Sequence, residues 1–246
     1  MSSSTRFMSD EEIEAEASSL LVGYAQKTET AITVPAVLLD DLLQHLGLRF
    51  EIYDLRKELK TPDVLGAIYL KQKLIRIDET LDPDVHPAMR GRFNFSYAHE
   101  IGHWCLHRGD AELRQVMGDL FSGPAQPSII CRTSQRRAPI EIQADLFASC
   151  LLMPRTLLAR AWRLGPERLK VSELRSRRPK PLAGASTWRR RTHIDPREEQ
   201  DSAIELIVKP LADEFHVSPQ AMRIRLERLG WVVRDVDEQE SLFGAT

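Results

Sequence analysis

His99, Glu100 and His103 stand in the order HExxH within "YAHEIGHWCLH", residues 97–107. On a helix, positions four apart share a face and lie ~6 Å apart along the axis, so two imidazoles can converge on one ion. Glu100 is turned toward the same side and can hold a water. Zn²⁺ lowers the pKa of a bound water to about 7, and a carboxylate that is not itself a ligand can take its proton as it attacks a polarised carbonyl. The chemistry implied is metal-assisted hydrolysis, with His99 and His103 as ligands and Glu100 as base. A chain of this composition produces the pattern by chance about 0.02 times, so the flanks matter. Phe95, Ala98, Ile101, Trp104 and Leu106 are apolar on a helical period. A helix buried by such residues must compensate for its polar groups, and a metal does so.

A third ligand is needed, and His107 is the nearest candidate. Helix rise places it ~12 Å from His99 along the axis, and no glycine breaks the helix before it. It reads instead as a C-terminal group interacting with the last carbonyls. Downstream, Glu141 and Asp145 share one face of the apolar stretch "PIEIQADLFASCLLMP". Two carboxylates on a buried face call for a cation or for partners. Glu141 is the expected third ligand, and Asp145, one turn on, can accept the N–H of a ligating histidine. The rival reading makes Glu141 a first-turn acid favoured by the helix dipole and Asp145 half of a surface ion pair. Glu112 and Asp119 are rival donors in the intervening loop. The oxyanion of hydrolysis needs a donor, for which Tyr69, Tyr97, His193 and His216 are candidates and none is singled out.

The elements that must carry these residues are legible from pattern. "SDEEIEAEASSLLVGYAQK" is an amphipathic helix, capped by Ser9, with Ile13, Ala17, Leu20, Leu21 and Tyr24 as its stripe. "PAVLLDDLLQHLGL" is a second helix, with Pro35 near its start and Gly47 past its end. "RFEIYDL" alternates as a strand, and "VLGAIYL" and "KLIRID" form a hairpin around Lys71 and Gln72. The motif helix runs from about residue 87 to 107. Residues 109–138 read as loop with a short helix. The helix from Pro139 stops at Pro154, and two short helices flank "FHVSP" near the C-terminus. The fold class is α+β: a small antiparallel or mixed sheet, a motif helix, a second ligand helix and a helical C-terminal region.

The chain has 246 residues, 42% hydrophobic and 28% charged, with a formal charge of -2; this is the composition of a globular protein with a real core. No basic start precedes an apolar run, so no secretory signal is expected. No stretch approaches the ~18 apolar residues of a membrane helix. The three cysteines, Cys105, Cys131 and Cys150, are widely spaced and read as small buried apolar residues in a reducing, cytoplasmic setting. A core is expected over residues 8–165, a basic Pro/Arg-rich loop or linker over 166–196, a helix-turn-helix-like segment packed on the core over 197–233, and an acidic tail over 234–246.

"HEIGHWCLH", then "EIQADLFASCLLMP", then "LADEFHVSPQAMRIRLERLG" resemble, in order, three blocks of the ImmA/IrrE family of bacterial metallopeptidases. The resemblance runs from about Pro35 to Gly230, with 166–196 poorly matched. It implies a zincin-like core, a zinc ion held by His99, His103 and Glu141, Glu100 as catalytic base, and Asp145 where the family has Asn or Asp. It also implies endopeptidase action on a separate helix-turn-helix repressor, relieving transcriptional repression. The alternative is a DNA-binding regulator. In that reading Ser218 caps a helix carrying Arg223, Arg225 and Arg228, which joins the basic run 175–191 and Trp188 in holding phosphates, with the metal site structural or degenerate. Against a structural site stands Glu100, which such a site would not need. Against phosphate binding stands the i,i+4 pair Arg223–Glu227, which uses charge internally.

Overall fold

The motif helix lies between a sheet and a second helix, and the rest of the fold serves that stack. The structure, a computed structural model, describes residues 7–29, 32–33, 35–109, 127, 129–132, 138–162, 169–170 and 196–234. It divides into two compact units, one running to Ala161 and taking in Glu214–Val217, the other comprising Trp162–Asp213 and the chain from Ser218.

In the first unit, α1 (Asp10–Thr28) opens with a full capping box between Ser9 and Glu12 and buries Ile13, Ala17 and Leu21, the stripe its period predicts. Helix α2 (Leu39–Leu46) ends at Gly47, whose φ of 69° is the left-handed conformation that a C-cap requires. It begins at Leu39, four residues after Pro35, so Pro35 is not its first-turn residue. The sheet comprises β1 (Arg49–Tyr53), β2 (Val64–Tyr69), β3 (Leu74–Asp78) and β4 (Ile129–Arg132), in the order β1-β3-β2-β4. It is mixed: β1 runs parallel to β3, while β2 is antiparallel to both β3 and β4. The hairpin loop is four residues, not two. Tyr69 pairs with Leu74, Lys73 N–H bonds to Leu70 O at 3.3 Å, and Lys73 turns the chain at φ 50°. Helix α3 (Leu55–Leu59) fills the β1–β2 connection.

Helix α4 (Arg90–His107) carries the motif, and α5 (Pro139–Leu152) carries the downstream acids. α4 packs against β2, β3 and most extensively α5, α1 packs along α5, and α2 contacts α4 and β1. From Ser96 to Trp104 every residue of α4 is buried. Apolar side chains on this helix each gain roughly 1.5–3 kcal/mol from burial, which holds the polar ones inside. Helix α6 (Arg155–Ala161) follows directly after Pro154. Strand β4 and helix α6 have no counterpart in the periodicity of the sequence: four and seven residues are too short to display one.

The second unit contains most of α7 (Pro196–Glu214), then α8 (Pro219–Arg228) and a parallel pair of short strands, β5 (Leu169–Lys170) and β6 (Val232–Val233). α7 is 19 residues, not short, and accommodates Pro210 internally. Ser218 caps α8 by accepting from Ala221 N–H at 3.1 Å, with Pro219 in the first turn. The basic run 175–191 with Trp188, the acidic tail from 235, Glu112, Asp119 and His193 lie outside the described residues. Among the described residues no helix is long and apolar enough to cross a membrane.

Candidate metal centre

The i,i+4 spacing on α4 brings His99 Nε2 and His103 Nε2 to 3.0 Å from each other. From α5, Glu141 places Oε2 3.1 Å from His99 Nε2 and Oε1 3.4 Å from His103 Nε2. Donors bonded at ~2.0–2.1 Å to a tetrahedral ion stand about 3.3 Å apart, so these three side chains already have the spacing of a coordination sphere. Glu141 is in the first turn of α5, as the helix-dipole reading has it. Its carboxylate nonetheless points at the two imidazoles. Asp145 Oδ1 lies 2.9 Å from His99 Nδ1, the ring nitrogen away from the cluster. It is therefore positioned to accept that N–H and leave Nε2 as the lone pair. His107 stays out of the donor set. It is buried, with Nδ1 3.0 Å from His103 Nδ1 and Nε2 3.0 Å from Gln143 Oε1.

Two glycines make this geometry possible. A Cβ on Gly102, inside the motif, would come within 3.3 Å of Ala144 backbone atoms and 3.2 Å of Phe147, so its absence lets α4 and α5 approach at backbone contact. A Cβ on Gly66 of β2 would stand 2.8 Å from Glu100 Oε1 and 3.0 Å from Ile77 Cδ1. Gly66 is thus the recess that receives the Glu100 side chain.

Glu100 is 0% exposed, and neither of its carboxyl oxygens has a hydrogen-bond partner among the described residues. An unmade hydrogen bond at a buried polar atom costs about 1–3 kcal/mol, a liability that stability alone does not explain. Burial pushes its pKa up to about 8, against the opposing pull of His99 and with a further push from Glu141. Burial lowers the pKa of His103 to about 4, despite its hydrogen bond with Glu141. For His99, burial is outweighed by hydrogen bonds to Asp145, Cys131 and Glu141, which hold its pKa well above the usual value. Glu141 is pushed up by burial but held far below the carboxylate range by hydrogen bonds from both imidazoles.

Cys131 was not legible as part of this site. Strand β4 places its Sγ with donor atoms of His99 and Glu100, all within 4.8 Å of one another, a second group able to hold a cation. Burial raises the pKa of the thiol, although its hydrogen bond with His99 works the other way. His99, His103 and Glu141 are the other group of donors close enough together to hold a cation. The two tyrosines are engaged elsewhere. Tyr97 donates to Asp40 Oδ1 at 3.1 Å and stacks on Phe50 at 4.4 Å, while Tyr69 donates to Glu58 Oε2 at 3.2 Å. His216 sits in the Glu214–Val217 turn with φ 52°, its carbonyl accepting from Asn94 Nδ2 at 2.9 Å.

Of the arginines read as phosphate contacts, Arg223 and Arg225 are buried. Arg223 is paired with Asp201 at 3.1 Å, Glu205 at 3.0 Å and Glu227 at 3.2 Å. Arg228 is exposed.

No curated protein matches the chain. The family model of the IrrE N-terminal-like domain matches residues 48–177. That span begins at the residue before β1, contains every side chain of the cluster, and stops short of α7 and α8. It is narrower than the resemblance read from the three sequence blocks. Since it covers more than half of the sequence, the chain belongs to the M78 peptidase family, metallopeptidases that share the IrrE N-terminal-like domain.

Proposed function

We propose that the protein is a zinc-dependent endopeptidase acting on a separate helix-turn-helix repressor and so relieving transcriptional repression. The observation that carries the reading is the unpartnered, fully buried carboxyl of Glu100 beside three donors at coordination spacing. His99, His103 and Glu141 hold the ion, which when bound acts as a Lewis acid and activates water. Asp145 keeps His99 in the ligating tautomer. Glu100, once ionised, takes the proton of the attacking water and delivers it to the departing amine. The Gly66 recess aims it. β4 has one neighbour, β2, among the described strands, and its Cys131 borders His99 and Glu100. An extended peptide pairing with the other edge of β4 would lay its backbone alongside the cluster.

The DNA-binding alternative is the weaker reading. Arg223 and Arg225 are buried, and Arg223 is neutralised by three carboxylates, which removes both from a phosphate-binding surface.

The test pairs metal content with proteolysis of a co-encoded helix-turn-helix repressor, for the wild type and Glu100→Ala. About one zinc per chain and cleavage that disappears in the variant are expected. A wild type that holds no zinc, or cleavage that survives Glu100→Ala, would overturn the assignment. A salt-sensitive duplex-DNA complex formed equally by both proteins would favour the alternative.

A further inference from the structure

His107 is a buried polar side chain that the peptidase reading leaves without a task. It is 1% exposed, and an imidazole so placed is costly unless both ring nitrogens have partners. Both do. Nδ1 faces His103 Nδ1 at 3.0 Å, and Nε2 faces Gln143 Oε1 at 3.0 Å, with Gln143 itself 4% exposed. The three groups form a line from the metal cluster across to α5.

That line has a direction. A neutral imidazole carries one proton, so two ring nitrogens facing each other at hydrogen-bond distance outside the ion's coordination sphere must be one N–H and one lone pair. The Gln143 amide oxygen only accepts. His107 therefore keeps its proton on Nε2 and presents a lone pair at Nδ1. His103 must then donate from Nδ1, which leaves its Nε2 as a lone pair where His99 Nε2 and Glu141 converge. Run the other way, the chain would point an N–H of His103 into the cluster and abolish it as a donor.

We propose that His107 and Gln143 are positioning residues that lock His103 in its metal-ligating tautomer, the service Asp145 performs for His99. The proposal rests on the reading of His103 as a ligand. The two services differ in charge. Asp145 offers a carboxylate and the His107–Gln143 pair is neutral. Glu141 already brings one negative charge and Glu100 is a second carboxyl, wholly buried. A neutral relay fixes the ring without adding a further anion to that interior.

The experiment uses the full chain. Zinc affinity is measured by competition with a chromophoric chelator, the cobalt(II)-substituted protein is examined by visible spectroscopy, and the His103 tautomer is read from imidazole ¹⁵N shifts. His107→Leu removes the acceptor and should weaken zinc binding about 10–100-fold, alter the cobalt spectrum and let His103 populate both tautomers. His107→Asn, whose amide oxygen can reach the position of Nδ1, should restore most of the affinity. Gln143→Met leaves His107 in place without its acceptor and should shift the same ¹⁵N signals; it carries the test if His107→Leu does not fold. Unchanged affinity, cobalt spectrum and tautomer in folded His107→Leu, or in Gln143→Met where that variant carries the test, would overturn the relay. If instead the wild type binds no zinc, or His103→Ala binds it as well as the wild type, the ligand assignment itself fails.

Discussion

At the scale of single residues, Glu100 divides stability from function most sharply. Its pKa of about 8 in the folded chain stands above the ordinary carboxyl value of 4.5. Below about pH 4.5 both folded and unfolded chains carry the proton, and burial costs nothing through ionisation. Between 4.5 and 8 the unfolded chain ionises while the folded one does not, so this group's contribution to stability falls as pH rises. In protein stripped of metal, Glu100→Gln should therefore match the wild type near pH 4 and be the more stable near pH 8, as urea unfolding at the two pH values would show. The same variant should retain zinc and lose proteolysis by roughly 10²–10⁴-fold, the usual worth of a general base. A variant that loses zinc as well would make Glu100 a ligand. HExxH was legible because its requirements are local: residue types at fixed helical offsets. His107 was legible as a non-ligand for the same reason, helix rise. Its tie to Gln143 was not, since nothing in the spacing of residues 107 and 143 says which faces of two helices meet.

At the scale of elements, the site depends on how closely α4 approaches its neighbours on both sides. Gly102 permits backbone contact with α5, and Gly66 opens β2 to Glu100. Gly66→Ala would place a methyl 2.8 Å from Glu100 Oε1 and 3.0 Å from Ile77, inside a β2–β3 pair that cannot yield freely. The expected outcome is near-normal zinc content with cleavage lowered at least tenfold, because the ligands lie on the α5 side while the base is displaced; metal analysis beside a peptidase assay checks it. Long periodic elements such as α1 and α5 were readable, as was the existence of the hairpin. Strand β4 was not: "IICR" has too few residues to show alternation, and its pairing with β2 is made 61 or more residues away in sequence. With β4 went Cys131, which looked like an ordinary buried thiol until the sheet brought it beside His99.

At the scale of the whole molecule, the proposed site, three donors from two helices joined through one ion, would tie folding to metal. A ligand that binds only the folded chain stabilises it by about 2.7 kcal/mol at a hundred times its dissociation constant. Chelation should thus lower the melting temperature of the wild type, with zinc restoring it, and should leave His103→Ala almost unmoved. Calorimetry with and without chelator decides this; a wild type indifferent to chelator would argue against a site formed by these residues. The α+β class and the mixed sheet followed from composition and pattern. The division into two units places Glu214–Val217 with the first unit despite its distance along the chain, a long-range grouping that no local pattern encodes.

Tyr97 carries a consequence for where the protein can be cut. Its ring lies on Phe50, inside the family-matched span, but its hydroxyl is held by Asp40, outside it. Helix α1, also outside, covers α5. A fragment trimmed to residues 48–177 would bare the back of both ligand helices and orphan a buried phenol. Expression boundaries therefore belong upstream of α1, so that these contacts are kept.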